Sequence, residues 1–73
     1  MSGIRQIRHR LGENIRLFRK KAGLSQEGLA ERADLHPVYI GQIERGQKAV
    51  SVEALWKISK ALGIRISDLF RSI

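Results

Sequence analysis

Three residues, Ala33 to Leu35, are all that separate two short helical segments in the middle of this chain, and that joint constrains the fold more than any other feature. Before it, Ser25 precedes "QEGLAERA", where Leu29, Ala30 and Ala33 fall on one side of a two-turn helix that the serine hydroxyl can cap. After it, His36 and Pro37 open a second segment, because proline is favoured at the first helical position, where its missing N–H would be unpaired anyway. Val38, Ile40, Ile43 and in part Tyr39 give this segment an apolar side, and Gly46 ends it. A connection this short admits no long loop and forces the helices to meet at a steep angle. Ala30 is small enough to let them approach closely, with Leu29, Ile40 and Ile43 as their shared core.

The flanking sequence is helical as well. Apolar residues at 4, 7, 11, 15, 18 and 22 repeat at the helical period, and Gly23 after Lys20 and Lys21 is a good stop. Gly12 inside this run costs about 1 kcal/mol relative to alanine and is expected to mark where a frayed leader meets a firmer helix. Ser51 caps a fourth helix with Val52, Leu55, Ile58, Ala61 and Leu62 inward, closed by Gly63; Ser67 is expected to cap a fifth that carries Leu69, Phe70 and Ile73. "IRIS" at 64–67 is too short to build a sheet. The expectation is one all-α domain of five helices spanning residues 1–73, without repeats or a low-complexity linker.

At 73 residues and 42% hydrophobic content the chain has a small core, and without cysteine it has no disulfide or cysteine-based metal site to brace it. The net charge of +7 favours an anionic partner, nucleic acid or membrane surface. Most of the excess lies in residues 1–21, which hold seven basic residues (Arg5, Arg8, Arg10, Arg16, Arg19, Lys20, Lys21) against Glu13 alone; the remainder holds seven against six. For the first helix a solvated charged face is as good an account as a binding role. No apolar run approaches a membrane span or a signal-peptide core, so a cytoplasmic protein is the default.

The steep joint is that of a helix-turn-helix, placed at about residues 25–45. Here "LSQEGLAERADLHPVYIGQIERG" followed by "SVEALWKISKALGIRISDLF" resembles the phage-repressor and Cro-type (XRE-like) helix-turn-helix family over roughly residues 11–70. The "SQ" opening, the small Ala30, the spacing up to "IERG" and the "LWKISKALG" segment agree together. The resemblance implies a five-helix, lambda-repressor-like domain whose third helix, residues 36–45, enters the major groove of double-stranded DNA. It also implies a homodimer on two-fold related half-sites.

Position by position, it implies that Ser25 and Gln26 contact a phosphate, which agrees with the free N–H groups and positive dipole end at a helix start. It implies that Arg19 pairs with Glu44 to hold the third helix in place without reading a base. Arg45 and Lys48 fall near the DNA backbone, and Tyr39 offers a hydroxyl to a phosphate or base edge. Base reading is then left to His36, Pro37, Val38 and Gln42. Only Gln42 has the amide fork that pairs with adenine through two hydrogen bonds; Pro37 and Val38 suit thymine methyls, and His36 can donate to a phosphate or to guanine. Gly41 is expected to keep the groove-facing side slim.

Two positions depart from the pattern. Asp34 stands where the turn often has glycine, and Gly28 stands where a glutamate commonly completes a capping box with the serine, so the second helix is expected to start more weakly. Trp56 and Phe70 read as core or dimer residues more than as base-stacking platforms. Ile66, Phe70 and Ile73 either cover the core of one chain or form a self-complementary dimer patch, and the dimer is favoured because so small a core gains from a partner. No cofactor, metal or small-molecule ligand is expected: His9 and His36 are far apart in sequence, and no nucleophile or paired acids suggest an enzyme.

The leading reading is therefore a sequence-specific transcriptional regulator without a fused sensor domain, controlled by its own concentration and by cooperative binding. Phage repressors, antitoxin-like regulators and restriction–modification controllers all fit, the controller-like and phage-like kinds most attractively. The competing reading is a protein-docking module that uses the same helices.

Overall fold

The computed structural model describes residues 3–73. Five helices follow one another: α1 (Gly3–Lys21), α2 (Gln26–Ala33), α3 (Pro37–Glu44), α4 (Val52–Leu62) and α5 (Ile66–Leu69), with no strand among the described residues. Their order is written in local signals. Ser25 Oγ accepts from the Gly28 N–H at 2.9 Å and Ser51 Oγ from the Ala54 N–H at 3.0 Å, so each hydroxyl satisfies one of the unpaired donors at a helix start.

The C-terminal ends of α1 to α4 share one device. In each, a residue within two positions of the last helical one takes a left-handed conformation and the N–H of the residue after it reaches back to a carbonyl of the last turn, as in Leu24 N–H to Arg19 O at 3.1 Å and Ile64 N–H to Ser59 O at 3.0 Å. Glycine fills that position after α1, α3 and α4, whereas Asp34 fills it after α2, with φ of 56°.

Ile15, Leu29, Ile40, Ile43, Ile58 and Leu69 are the largest wholly buried apolar side chains, one or two from each helix. Packing links α2 to α4 and α3, and α1 to α3 and α5. The apolar period of α1 runs its whole length, but its core-facing part begins at Leu11; Ile4 and Ile7 are 66% and 47% exposed.

Several sequence expectations change here. Gly12 marks no frayed boundary: α1 continues through it, and a Cβ there would overlap the carbonyl oxygens of Ile43 and Glu44. It is a close-approach position where α1 crosses the end of α3. Val52 does not face inward; in the first turn of α4 it is 78% exposed, and the buried set is Ala54, Leu55, Ile58 and Ser59. Trp56 is no core residue either, lying 54% exposed with the Lys60 ammonium 5.6 Å from its ring centre.

Ser67 does not cap α5. Arg65 holds the cap position and Asp68 reaches back to its N–H at 3.0 Å, so the single helical turn ends at Leu69 and leaves Phe70 in the turns that follow and Ile73 just after them. Those turns are held by α1. The Asn14 amide donates to the carbonyls of Leu69 (2.8 Å) and Arg71 (2.9 Å), and Arg10 donates to that of Ser72 (2.7 Å).

Candidate nucleic-acid interface

The α2–α3 pair is assembled from small residues inside and polar residues at its ends. Ala30 and Ala33 are buried at the joint, and Ile40 and Ile43 fix the inner face of α3. His36 caps α3 with its ring: Nδ1 accepts from the Val38 N–H at 3.1 Å, and Pro37 follows in the first turn. A ring nitrogen that accepts carries no proton, so the remaining donor of the neutral ring is Nε2–H.

With Ile40, Ile43 and Glu44 committed to the interior, the helical period leaves Val38, Gln42 and Arg45 as a stripe along the other side. Val38 is 58% exposed, Arg45 is exposed and Gln42 is half-buried. The Gln42 amide makes no hydrogen bond among the described residues.

Behind α3 lies the most tightly bonded polar group in the molecule. Arg19 donates from Nε to Glu44 Oε2 at 2.6 Å and from Nη2 to Glu44 Oε1 at 3.0 Å, a bidentate pair whose side chains are 9% and 3% exposed. Its Nη1 donates to the Leu24 carbonyl at 2.8 Å, and the Gln26 amide adds a third donor to Glu44 Oε1 at 3.1 Å. One guanidinium thus ties the end of α1, the α1–α2 turn and the last turn of α3. Full hydrogen bonding is what makes burial of the two charges tolerable.

Gly41 belongs to this network and does not bare the outer side of α3 as the sequence suggested. It is buried, and a Cβ there would lie 3.2 Å from Arg45 Nη1 and 3.5 Å from Gln26 Oε1. Its missing side chain gives these two longer ones room to cross the flank of the helix.

Ser25 is exposed and its Oγ is engaged with Gly28, while the N–H groups of Gln26 and Glu27 stand free at the start of α2. The Tyr39 hydroxyl donates to the Ala49 carbonyl at 3.3 Å and lies 3.5 Å from the Ser51 N–H, bracing the α3–α4 loop. In that loop Arg45 Nε donates to Gln47 Oε1 at 3.1 Å, whereas Lys48 is exposed and forms no ion pair among the described residues.

Ser25, Gln26 and the α3 residues therefore sit on one joined unit. Ile66, Phe70 and Ile73 lie elsewhere, on and after the turn that packs against α1 and α4. Phe70 is 37% and Ile73 48% exposed, and Ile66 is half-buried. The sequence reading missed that Ile4 and Ile7 adjoin them: Ile7 shares one cleft with Phe70 and another with Ile73. It also missed the Asn14 clamp, although an amide inside the inward stripe between Leu11 and Phe18 was a visible signal.

Comparison with known proteins adds the following. The helix-turn-helix model HTH_3 matches residues 15–69. Control protein C.BamHI of Bacillus amyloliquefaciens is 48% identical over 64 residues, covering 86% of this chain and 79% of that protein. Control protein C.MunI of a Mycoplasma species is 44% identical over 68 residues, covering 92% of both. Among solved structures, the restriction-modification controller protein C.AhdI of Aeromonas hydrophila superposes with a TM-score of 0.84 at 40% identity, covering 85% of this chain and 94% of that one.

Proposed function

The chain belongs to the HTH_3 helix-turn-helix family of DNA-binding transcriptional regulators, and we propose that it acts as a homodimer on a two-fold symmetric operator. The observation that carries this reading is the outward side of α3, where Val38 is exposed and the Gln42 amide makes no hydrogen bond among the described residues, while the opposite face of the same helix is fixed by the Arg19–Glu44 pair.

In this reading residues 1–73 are one DNA-binding domain and α3 lies in the major groove. Gln42 pairs with adenine, Val38 and the Pro37 ring meet thymine methyls, and His36 donates from Nε2. Ser25 and Gln26 present the positive start of α2 to a phosphate, with Arg45 and Lys48 on the backbone beyond. Tyr39 contributes by holding the α3–α4 loop through its hydroxyl, whose one proton goes to the Ala49 carbonyl.

The second copy covers Ile66, Phe70 and Ile73. Support comes from the continuation of that apolar surface into Ile4 and Ile7, which leaves more exposed apolar area than one small domain needs. Similarity to control proteins of comparable size favours a controller-type regulator of a restriction–modification system.

Selection from a random duplex pool at about 150 mM salt tests the proposal. The expected result is a palindromic motif bound at least ~10³-fold more tightly than random sequence, with half-site centres about 34 Å apart. Recovery of a single half-site would remove the two-fold operator, and recovery of no motif would remove sequence reading by α3.

A further inference from the structure

The first turns of α1, residues 3–14, lie outside the segment that the family model matches, and they carry a basic face for which the contacts above have no use. Arg19 and Gly12 mark the stripe of α1 that faces α3, the one through Glu44 and the other through the carbonyls of Ile43 and Glu44. A helix returns to nearly the same direction after seven residues. Arg5, seven before Gly12, therefore stands on that stripe about 10 Å further along the axis, and Arg8, four before, flanks it.

The path of α1 takes both residues past the loop that follows α3. A Cβ on Gly46 would lie 3.1 Å from His9 Cα and 3.3 Å from His9 N, and Arg8 shares a cleft with Ala49 and Val50. Arg10 is occupied by the Ser72 carbonyl and Glu13 by His9 at 3.5 Å. Arg5 is exposed and Arg8 half-buried, and neither forms an ion pair or side-chain hydrogen bond among the described residues.

We infer that Arg5 and Arg8, together with Lys48, form a flank that binds the phosphodiester backbone beside the groove that α3 enters. The inference rests on the duplex-DNA reading above. Charge selects the occupant: the unneutralised Arg8 guanidinium beside the loop that follows α3, Arg5 about one turn further along α1 and the Lys48 ammonium within the loop form no ion pair among the described residues, and guanidinium matches phosphate oxygens through paired N–H donors. The flank adds affinity and salt dependence but reads no base.

The test is the salt dependence of binding by the full chain, as wild type, as the Arg5→Gln/Arg8→Gln pair, and as a charge-matched control, Lys60→Gln/Arg65→Gln, on α4 and the α4–α5 turn. Each lost phosphate contact lowers the slope of log K against log salt by about 0.9, so the α1 pair should lower it by about 1.8. Between 50 and 200 mM salt the wild type should then lose roughly tenfold more affinity than the α1 pair. The control should keep the wild-type slope, and the selected motif should be the same in all three.

Equal slopes in wild type and the α1 pair would overturn the flank while leaving the regulator reading intact, and so would equal changes in both pairs, which would mark a general charge effect. A wild type that prefers no duplex over random sequence would overturn both.

Discussion

Behind α3 the polar side chains of Arg19, Gln26 and Glu44 turn inward onto one another, whereas at the seam between α1 and the C-terminal turns Asn14 and Arg10 grip carbonyls and the apolar Phe70 and Ile73 stay partly uncovered. In the first region Arg19, Gln26 and Glu44 meet side chain to side chain, so the orientation of α3 depends on specific partners. In the second, Asn14 and Arg10 hold main-chain oxygens of Leu69, Arg71 and Ser72, a grip that leaves the adjoining side chains Phe70 and Ile73 out of the bonding. The difference teaches that one region is built to fix a helix and the other to present a surface.

The largest expected effect is at the fixed helix. Glu44→Ala strands the buried Arg19 guanidinium and leaves the Gln26 amide without its acceptor, so unfolding in urea should show a loss of about 3–5 kcal/mol. That is a large part of what a domain of this size has. A loss below about 1 kcal/mol would place the pair with ordinary surface ion pairs and erase the contrast.

The seam should yield less. Asn14→Ala removes two hydrogen bonds to carbonyls at the surface or half-buried, about 1–2 kcal/mol. It should also weaken self-association in sedimentation experiments, because Phe70 and Ile73 lose their fixed position. If it instead unfolded the protein as readily as Glu44→Ala, the two regions would not differ in kind.

Smallest for stability is Gln42→Ala, on the outer stripe of α3, with a change within about 0.5 kcal/mol. In DNA selection it should relax the preference at one base position, worth about 1–3 kcal/mol, whereas Gln26→Ala should weaken all sequences alike. An unchanged motif from Gln42→Ala would take base reading away from that residue.

What could be read from the sequence follows the range of the forces concerned. Ser25, Ser51, Pro37, Gly46 and Gly63 act within a turn of their own position, so the limits of α2, α3 and α4 were legible from residue type alone. The placement of α5 was not: Ser67 is the better capping residue, but the seating of Leu69 in the core and the reach of Asp68 to the Arg65 N–H set the register two residues earlier.

Gly12 was legible as an anomaly without its cause, which lies in carbonyls of α3 more than thirty residues away. Gly41 was misread for a similar reason, since the side chains that cross it come from Gln26 and Arg45. Val52 and Trp56 fit an apolar pattern that does not say whether another layer exists to cover them. The pairing of Arg19 with Glu44 entered through the family resemblance, because nothing in local spacing connects residues 25 apart.

The division of labour within α3 bears on how such a protein can change over generations. Its anchoring residues sit on the inner face and at the two ends, while Val38 and Gln42 have no folding duty. Substitutions at these two positions can therefore accumulate, or be transplanted from a relative, without first requiring repair elsewhere in the scaffold. His36 is the exception, because its ring also closes the start of the helix. On the proposed reading, a change there alters the text being read and loosens the page on which the reader rests, so drift in sequence preference should run through positions 38 and 42 before it reaches 36.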